Sequence, residues 1–202
     1  CSSVGGGRTG ACMLGRVLKS NDGLPPDTVV CFANTGKEDE ATLRFVRDCS
    51  DQWDVPITWV EYRPTDPGYA LVDFDSASRD GEPFEMLIRK ERFLPNARQR
   101  ICTSRLKVRA MHRHLKTLGW HDLDDGWDQM IGIRADEMRR VVKIRARGTS
   151  TETAKESMLV PLADAGVTLA TIREFWAAQA FGLELFTDAK GRTLGGNCDL
   201  CF

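Results

Sequence analysis

No apolar run in these 202 residues approaches the ~18 that a membrane-spanning helix requires, and no segment has the form of a secretory leader. These absences lead us to expect a cytoplasmic protein without a membrane partner. An excess of charge of one sign is missing too: 28 Lys and Arg face 29 Asp and Glu, so the chain as a whole is no polyanion binder. The seven cysteines are odd in number and scattered from Cys1 to Cys201, unlike the framework of a disulfide-stapled secreted domain. Internal repeats and low-complexity tracts are also absent. What remains is an ordinary globular composition, in a chain long enough to hide roughly 70% of the surface its unfolded form exposes.

The neutral balance conceals local runs. From Arg89 to Lys116 ten basic residues face one acid, Glu91, and a second run (Arg139, Arg140, Lys143, Arg145, Arg147) contains no acid. Between them lie Asp122, Asp124, Asp125, Asp128, Asp136 and Glu137. One such run is ordinarily a solvated helix face. Two in a neutral chain indicate a local anion site.

Hydrophobic periodicity gives the organisation. Gly5-Gly6-Gly7-Arg8-Thr9-Gly10 leads into a helix whose apolar positions Ala11, Leu14, Val17 and Leu18 share one face. Glycines before a helix N-terminus let backbone N–H groups close on a phosphate, although many glycine-rich turns bind nothing. The lysine of a Walker loop is missing, and so is the spacing of a dinucleotide fingerprint. Residues 28–33 read as a buried parallel strand ending in Asn34-Thr35-Gly36, followed by a helix with Thr42, Phe45, Val46 and Cys49 on one side. Residues 57–62 form the next strand candidate.

The stretch 63–95 gives mixed signals and reads as an insertion with a short helix over 84–91. Cys102-Thr103-Ser104 opens a helix with Val108, Met111, Leu115 and Leu118 on one face, closed by Gly119. A strand over 128–133 ends in Arg134, Asp136, Glu137, Arg139 and Arg140; residues 145–157 read as a mobile polar loop. A last helix is expected from Thr171, with Glu174 completing a capping box. Cys31 and Cys49 read as buried small residues, the five tryptophans as packing residues, and the three histidines as surface residues.

Helices alternating with apolar strands predict an α/β fold with a doubly wound parallel sheet of about five strands, a three-layer Rossmann-type sandwich with helical insertions. In such a sheet the segments 5–9, 34–38 and 134–140 converge on one crevice. Arginines at 134, 139 and 140 suit phosphate or sulfate, because guanidinium is a planar fork of donors. At least one of them is expected to pair with Asp136 or Glu137.

In these motifs, and in their order along nearly the whole chain, the sequence resembles the phosphoadenosine phosphosulfate (PAPS) reductase family. That family lies within the adenine nucleotide alpha hydrolase-like, or PP-loop, superfamily. The family's pyrophosphate loop reads roughly Ser-Gly-Gly-Lys/Arg-Asp/Thr-Ser; here Gly6, Gly7, Arg8 and Thr9 match, while Gly5 and Gly10 replace the serines. Residues 32–38 and 132–140 look like the adenosine-side and sulfate-side blocks. The resemblance implies one PAPS reductase-like domain over 1–202, with only Cys1-Ser2-Ser3-Val4 left of the strand that should precede the loop, and a C-terminal Cys-x-x-Cys segment at 195–202. It implies nucleotide binding by Gly5, Gly6, Gly7, Arg8, Thr9, Asn34, Thr35, Gly36, Arg134, Asp136 and Glu137, and catalytic charge neutralisation by Arg8, Arg134, Arg139 and Arg140.

Losing both serines weakens the case for full ATP pyrophosphatase activity. The reductases' C-terminal Cys-Gly-Leu-His segment, source of their nucleophilic thiol, is absent, which argues against an ordinary thioredoxin-dependent reductase. Relatives in this fold hold a 4Fe–4S cluster on similarly placed cysteines. The resemblance thus implies a three-cysteine cluster on Cys102, Cys198 and Cys201, with one iron open to carry sulfide. Zinc with His112 or His114 as fourth ligand, a redox-active Cys198–Cys201 disulfide, and inert thiols are the alternatives.

The expected activity is reductive sulfur chemistry on an adenine nucleotide (ATP, PAPS or APS, with Mg2+ admitted as a companion). An electron-donor or sulfur-donor protein is the expected partner, and a homodimer is admitted. A sulfurtransferase that adenylylates and thiolates DNA or tRNA is the competing expectation, with nucleic acid as partner. A non-catalytic nucleotide or redox sensor is the third.

Overall fold

The computed structural model of the chain describes residues 2–3, 5–96 and 98–186. Among the described residues six strands are present: β1 (Ser2–Ser3), β2 (Val30–Asn34), β3 (Ile57–Tyr62), β4 (Tyr69–Val72), β5 (Trp127–Ile131) and β6 (Glu156–Leu159). They form one sheet in the order β4-β3-β2-β1-β5-β6. All neighbours are parallel except β4, which runs antiparallel to β3 at one edge.

The central strands are apolar on both faces because helices cover both. Every residue of β2 is buried, and successive side chains go to opposite layers. Phe32 and its neighbour Trp59 meet edge to face at 4.8 Å and join the larger core under α1 (Arg8–Ser20), α2 (Glu40–Trp53) and α7 (Leu169–Ala177). Ala33 and Val60 point the other way, against Ala110 of α4 (Arg109–Thr117). On that second face a π-helical stretch, Cys102–Val108, runs directly into α4, and α3 (Glu82–Glu91) packs beside it. The result is the three-layer doubly wound sandwich expected. α5 (Met138–Arg147) and α6 (Pro161–Asp164) complete the helices, and among the described residues no helix is long and apolar enough to cross a membrane.

Local chemistry explains the boundaries. The Asp39 carboxylate accepts from the Ala41 N–H at 2.7 Å and starts α2, and Asp54 ends it in the left-handed conformation. Trp53, Trp176, Phe45 and Phe181 pack as one aromatic group, with Trp53 stacked on Trp176 at 5.9 Å.

Three expectations need correction. β4 emerges from the stretch read as an insertion; it is a short, half-exposed edge strand, so no alternation marks it. The segment 145–157 is not simply a loop: α5 continues to Arg147, Thr149 bridges to Ser157, and β6 begins at Glu156. Glu156 is polar yet buried, which disguised the strand. The last helix starts at Leu169, and Thr171, not Glu174, forms its capping box with Thr168.

Candidate functional site

The strand order reverses at β1: its crossover leads to β2 on one side, and β5 lies on the other. Doubly wound sheets bind ligands in the crevice at such a point. Two loops meet there. A Cβ added to Gly132 would lie 2.7 Å from the Gly10 Cα, so the chain leaving β5 touches the start of α1 backbone to backbone. Gly6 adopts φ +68°, and a Cβ there would come within 2.6 Å of Thr42 Cγ2. The loop needs glycine at 6 for both reasons.

No side chain caps α1, whose N-cap is Gly7. Its first-turn N–H groups and the helix dipole therefore face this crevice as an anion-attracting end. The Arg134 Nη1 lies 3.4 Å from Thr9 Oγ1, which brings the guanidinium to the same end of α1. Arg134 is held in turn by Asp136, whose Oδ1 accepts from its Nε at 2.9 Å, and by Glu137, whose Oε2 accepts from its backbone N–H at 3.0 Å. Arg140 pairs with the other Glu137 oxygen, so the expected pairing of arginines with these acids is present.

Hydrogen bonding from the Leu169 N–H, then from Arg134, lowers the Asp136 carboxyl below its ordinary range. Burial works against ionisation of Glu137, but the Arg134 N–H and the Arg140 guanidinium outweigh it and its carboxyl is lowered as well. Both acids therefore hold arginines at neutral pH. Arg139 is exposed and makes no ion pair among the described residues.

Other expected residues stand differently. The Arg8 side chain is exposed and donates to the Leu183 carbonyl at 2.5 Å, while its own carbonyl accepts from Trp176 Nε1 at 2.9 Å. Asn34 is fully buried; its Nδ2 donates to Glu61 Oε1 at 2.7 Å and to the Ser78 carbonyl at 2.8 Å. It ties the segment after β4 to the sheet. Thr35 donates to Glu38 Oε1 at 3.1 Å, and Gly36 takes φ +75° with its N–H on Asn34 Oδ1.

Cys102 is half-buried at the start of the π-helical stretch, beside the cluster of Tyr62, Phe84, Leu87 and Leu106. Cys198 and Cys201 lie outside the described residues. Among the described residues no group of three His, Cys, Asp or Glu could hold a metal ion. Cys102 alone is no ligand set for a cluster. Nor do the histidines complete one: His112 and His114 are buried, contrary to expectation, and reach opposite edges of the sheet, toward Glu156 and Tyr69.

No family model matches the chain. It is 27% identical over 210 residues to the uncharacterized nin region protein ORF290 of Escherichia phage lambda, covering 98% of this chain and 64% of that protein's length. A solved structure, the phosphate complex of phosphoadenylyl-sulfate (PAPS) reductase from Candida auris, superimposes with a TM-score of 0.55 at 14% identity, over 90% of this chain and 73% of that one. The chain has the PAPS reductase fold.

Within this PAPS reductase fold, sequence reasoning missed two residues at the β2 edge. The Glu38 side chain is entirely buried, and its Oε1 accepts from Lys107 Nζ at 2.9 Å, a bridge from the β2 edge to the π-helical stretch. Its Oε2 and the Thr42 hydroxyl have no hydrogen-bond partner among the described residues. Glu38 stood in plain view in the block 32–38, and Lys107 lay within the first basic run. Nothing in their spacing paired them.

Proposed function

We propose that the chain is a nucleotide-binding enzyme of the sulfonucleotide reductase kind, acting in the cytoplasm on an adenine nucleotide at the β1–β5 crevice. The observation that carries this reading is the meeting of the uncapped α1 N-terminus with Arg134, 3.4 Å from Thr9 Oγ1, in a PAPS reductase fold. Backbone N–H groups of the 5–9 loop would hold one phosphate, while Arg134 and Arg139 would neutralise the sulfate or phosphate being transformed. Arg140 would act through Glu137, holding the arginine loop in shape. Asn34, its amide committed to Glu61 and Ser78, and Gly36 would shape the adenosine wall through their backbone. Arg8 would contribute through its backbone.

Incubation with PAPS and an excess of a dithiol tests the reading. Two electrons from the dithiol would reduce the sulfuryl sulfur, releasing sulfite and adenosine 3′,5′-bisphosphate. The expected result is sulfite formation that falls at least tenfold in Arg134→Ala. Absence of turnover with PAPS, APS and ATP alike would favour a sensor. Iron and acid-labile sulfide on protein purified without oxygen, beside Cys102→Ala and Cys198→Ala, test the cluster reading separately.

One observation favours a second reading, thiolation of a nucleic acid. Arg139, Lys143 and Arg147 are exposed at four-residue intervals, one face of α5. A phosphate backbone lying on that face would give oligonucleotide affinity that falls steeply with salt. Salt-insensitive binding confined to mononucleotides would exclude it.

A further inference from the structure

A cavity of about 480 Å³ lies between the helical segment 100–112 and strands β5 and β6. None of its lining residues belongs to the loops 5–10, 34–38 and 132–137. Its volume falls within the range of small-molecule sites, roughly 300–1,000 Å³. Val108, Met111, Ile131 and Met158 give it apolar walls.

Thr103, Ser104, Gln129, Ser150 and Thr151 add polar lining, and a buried ion pair stands among them. The Glu156 carboxylate, 2% exposed, is paired through Oε2 with His112 Nε2 at 2.7 Å, and its Oε1 accepts from Trp127 Nε1 at 3.3 Å. Burial alone would raise the Glu156 carboxyl, yet hydrogen bonds from His112, Ser150 and Trp127 lower it below its ordinary range. A carboxylate acceptor fixes Nε2 of His112 as the donor. The His112 side chain, only 9% exposed, lines the cavity.

The cavity is also charged at its rim. Arg100 and Arg147 both line it, one from each of the two basic runs, and both are exposed. Arg147 donates through Nε to the Thr149 carbonyl, which leaves its terminal nitrogens for a ligand. The side chain of Arg100 makes no ion pair among the described residues.

We propose that this cavity is a second ligand site that takes a small organic anion with an aromatic body. The ring lies against Met111, Ile131 and Met158, a polar atom of the ligand meets the His112 side chain, and its carboxylate, sulfonate or phosphate meets Arg100 and Arg147. Apolar walls with a cationic rim select for that combination, because a neutral hydrocarbon leaves the arginines unmet and a compact inorganic anion leaves the walls wet.

The probe is 8-anilino-1-naphthalenesulfonate, whose fluorescence rises in an apolar site. Titration of the native chain is expected to give one site per chain. Arg147→Glu, an exposed change, should weaken binding at least tenfold, and Met158→Trp should weaken it by narrowing the space. A native circular dichroism spectrum certifies each variant, with His112→Gln as a further variant expected to weaken binding. 1-Naphthoate should displace the probe at least tenfold better than neutral 1-naphthylmethanol, and ATP should not displace it. No saturable binding, equal displacement by the neutral compound, displacement by ATP, or affinity unchanged in both Arg147→Glu and His112→Gln would each overturn the proposal.

Discussion

Gly5 and Gly6 are neighbours in one loop and differ in what they require. Nothing lies within 4 Å of where a Gly5 Cβ would go, whereas Gly6 holds φ +68° with Thr42 Cγ2 where its Cβ would go. Gly6→Ala should cost about 1–3 kcal/mol and disturb the loop, while Gly5→Ala should stay within about 0.5 kcal/mol. Urea denaturation of the two variants measures both. The cysteines divide in a similar way. Burial pushes the Cys31 thiol up to about 12 and raises Cys12 and Cys49 as well, so all three stay protonated at pH 8. Iodoacetamide at pH 8, followed by peptide mass mapping, should leave these three unmodified in the folded chain. Apolar neighbours made Cys31 and Cys49 legible as buried residues. The fate of the Arg8 side chain was not legible, because Leu183 lies far away in sequence and only the fold brings its carbonyl near.

Elements carried by apolar periodicity were readable: α1, β2, α2 and β3 all appear where the alternation and the 3.6-residue pattern put them. β6 was hidden because its inward residue is an acid. Glu156 can be buried only because His112, Trp127 and Ser150 satisfy it, and those partners come from α4, β5 and the loop before β6. That non-local network also makes His112 a core residue, where the sequence suggested a surface position on a helix. The folded-state carboxyl is lowered, so its stabilisation is present above the ordinary carboxylate range and is lost as pH falls through the lowered value. Glu156→Gln should therefore destabilise by about 1–3 kcal/mol at pH 7. The gap between variant and native chain should narrow as pH drops below ~4. Urea denaturation at a series of pH values reads this directly; a gap independent of pH would contradict it.

Across the whole molecule, the neutral net charge hides two basic runs separated by an acidic interval. The fold turns that linear pattern into two local environments. Arg134 and Arg140 are set among Asp136 and Glu137 beside the glycine loop, and Arg100 and Arg147 stand at the rim of the cavity between the 100–112 segment and β5 and β6. Convergence of the 5–9 and 134–140 segments could be expected from the doubly wound pattern alone, since their strands are adjacent at the point where the order reverses. The cavity could not, because its walls come from segments with no common motif. The central claim is that the β1–β5 crevice binds an adenine nucleotide through the α1 N-terminus and Arg134. Calorimetric titration of PAPS into the native chain and into Arg134→Ala tests it most directly. We predict one site per chain, with affinity at least tenfold weaker in the variant and with 8-anilino-1-naphthalenesulfonate still bound. Equal affinity in the two proteins, or no heat of binding in either, would contradict the account.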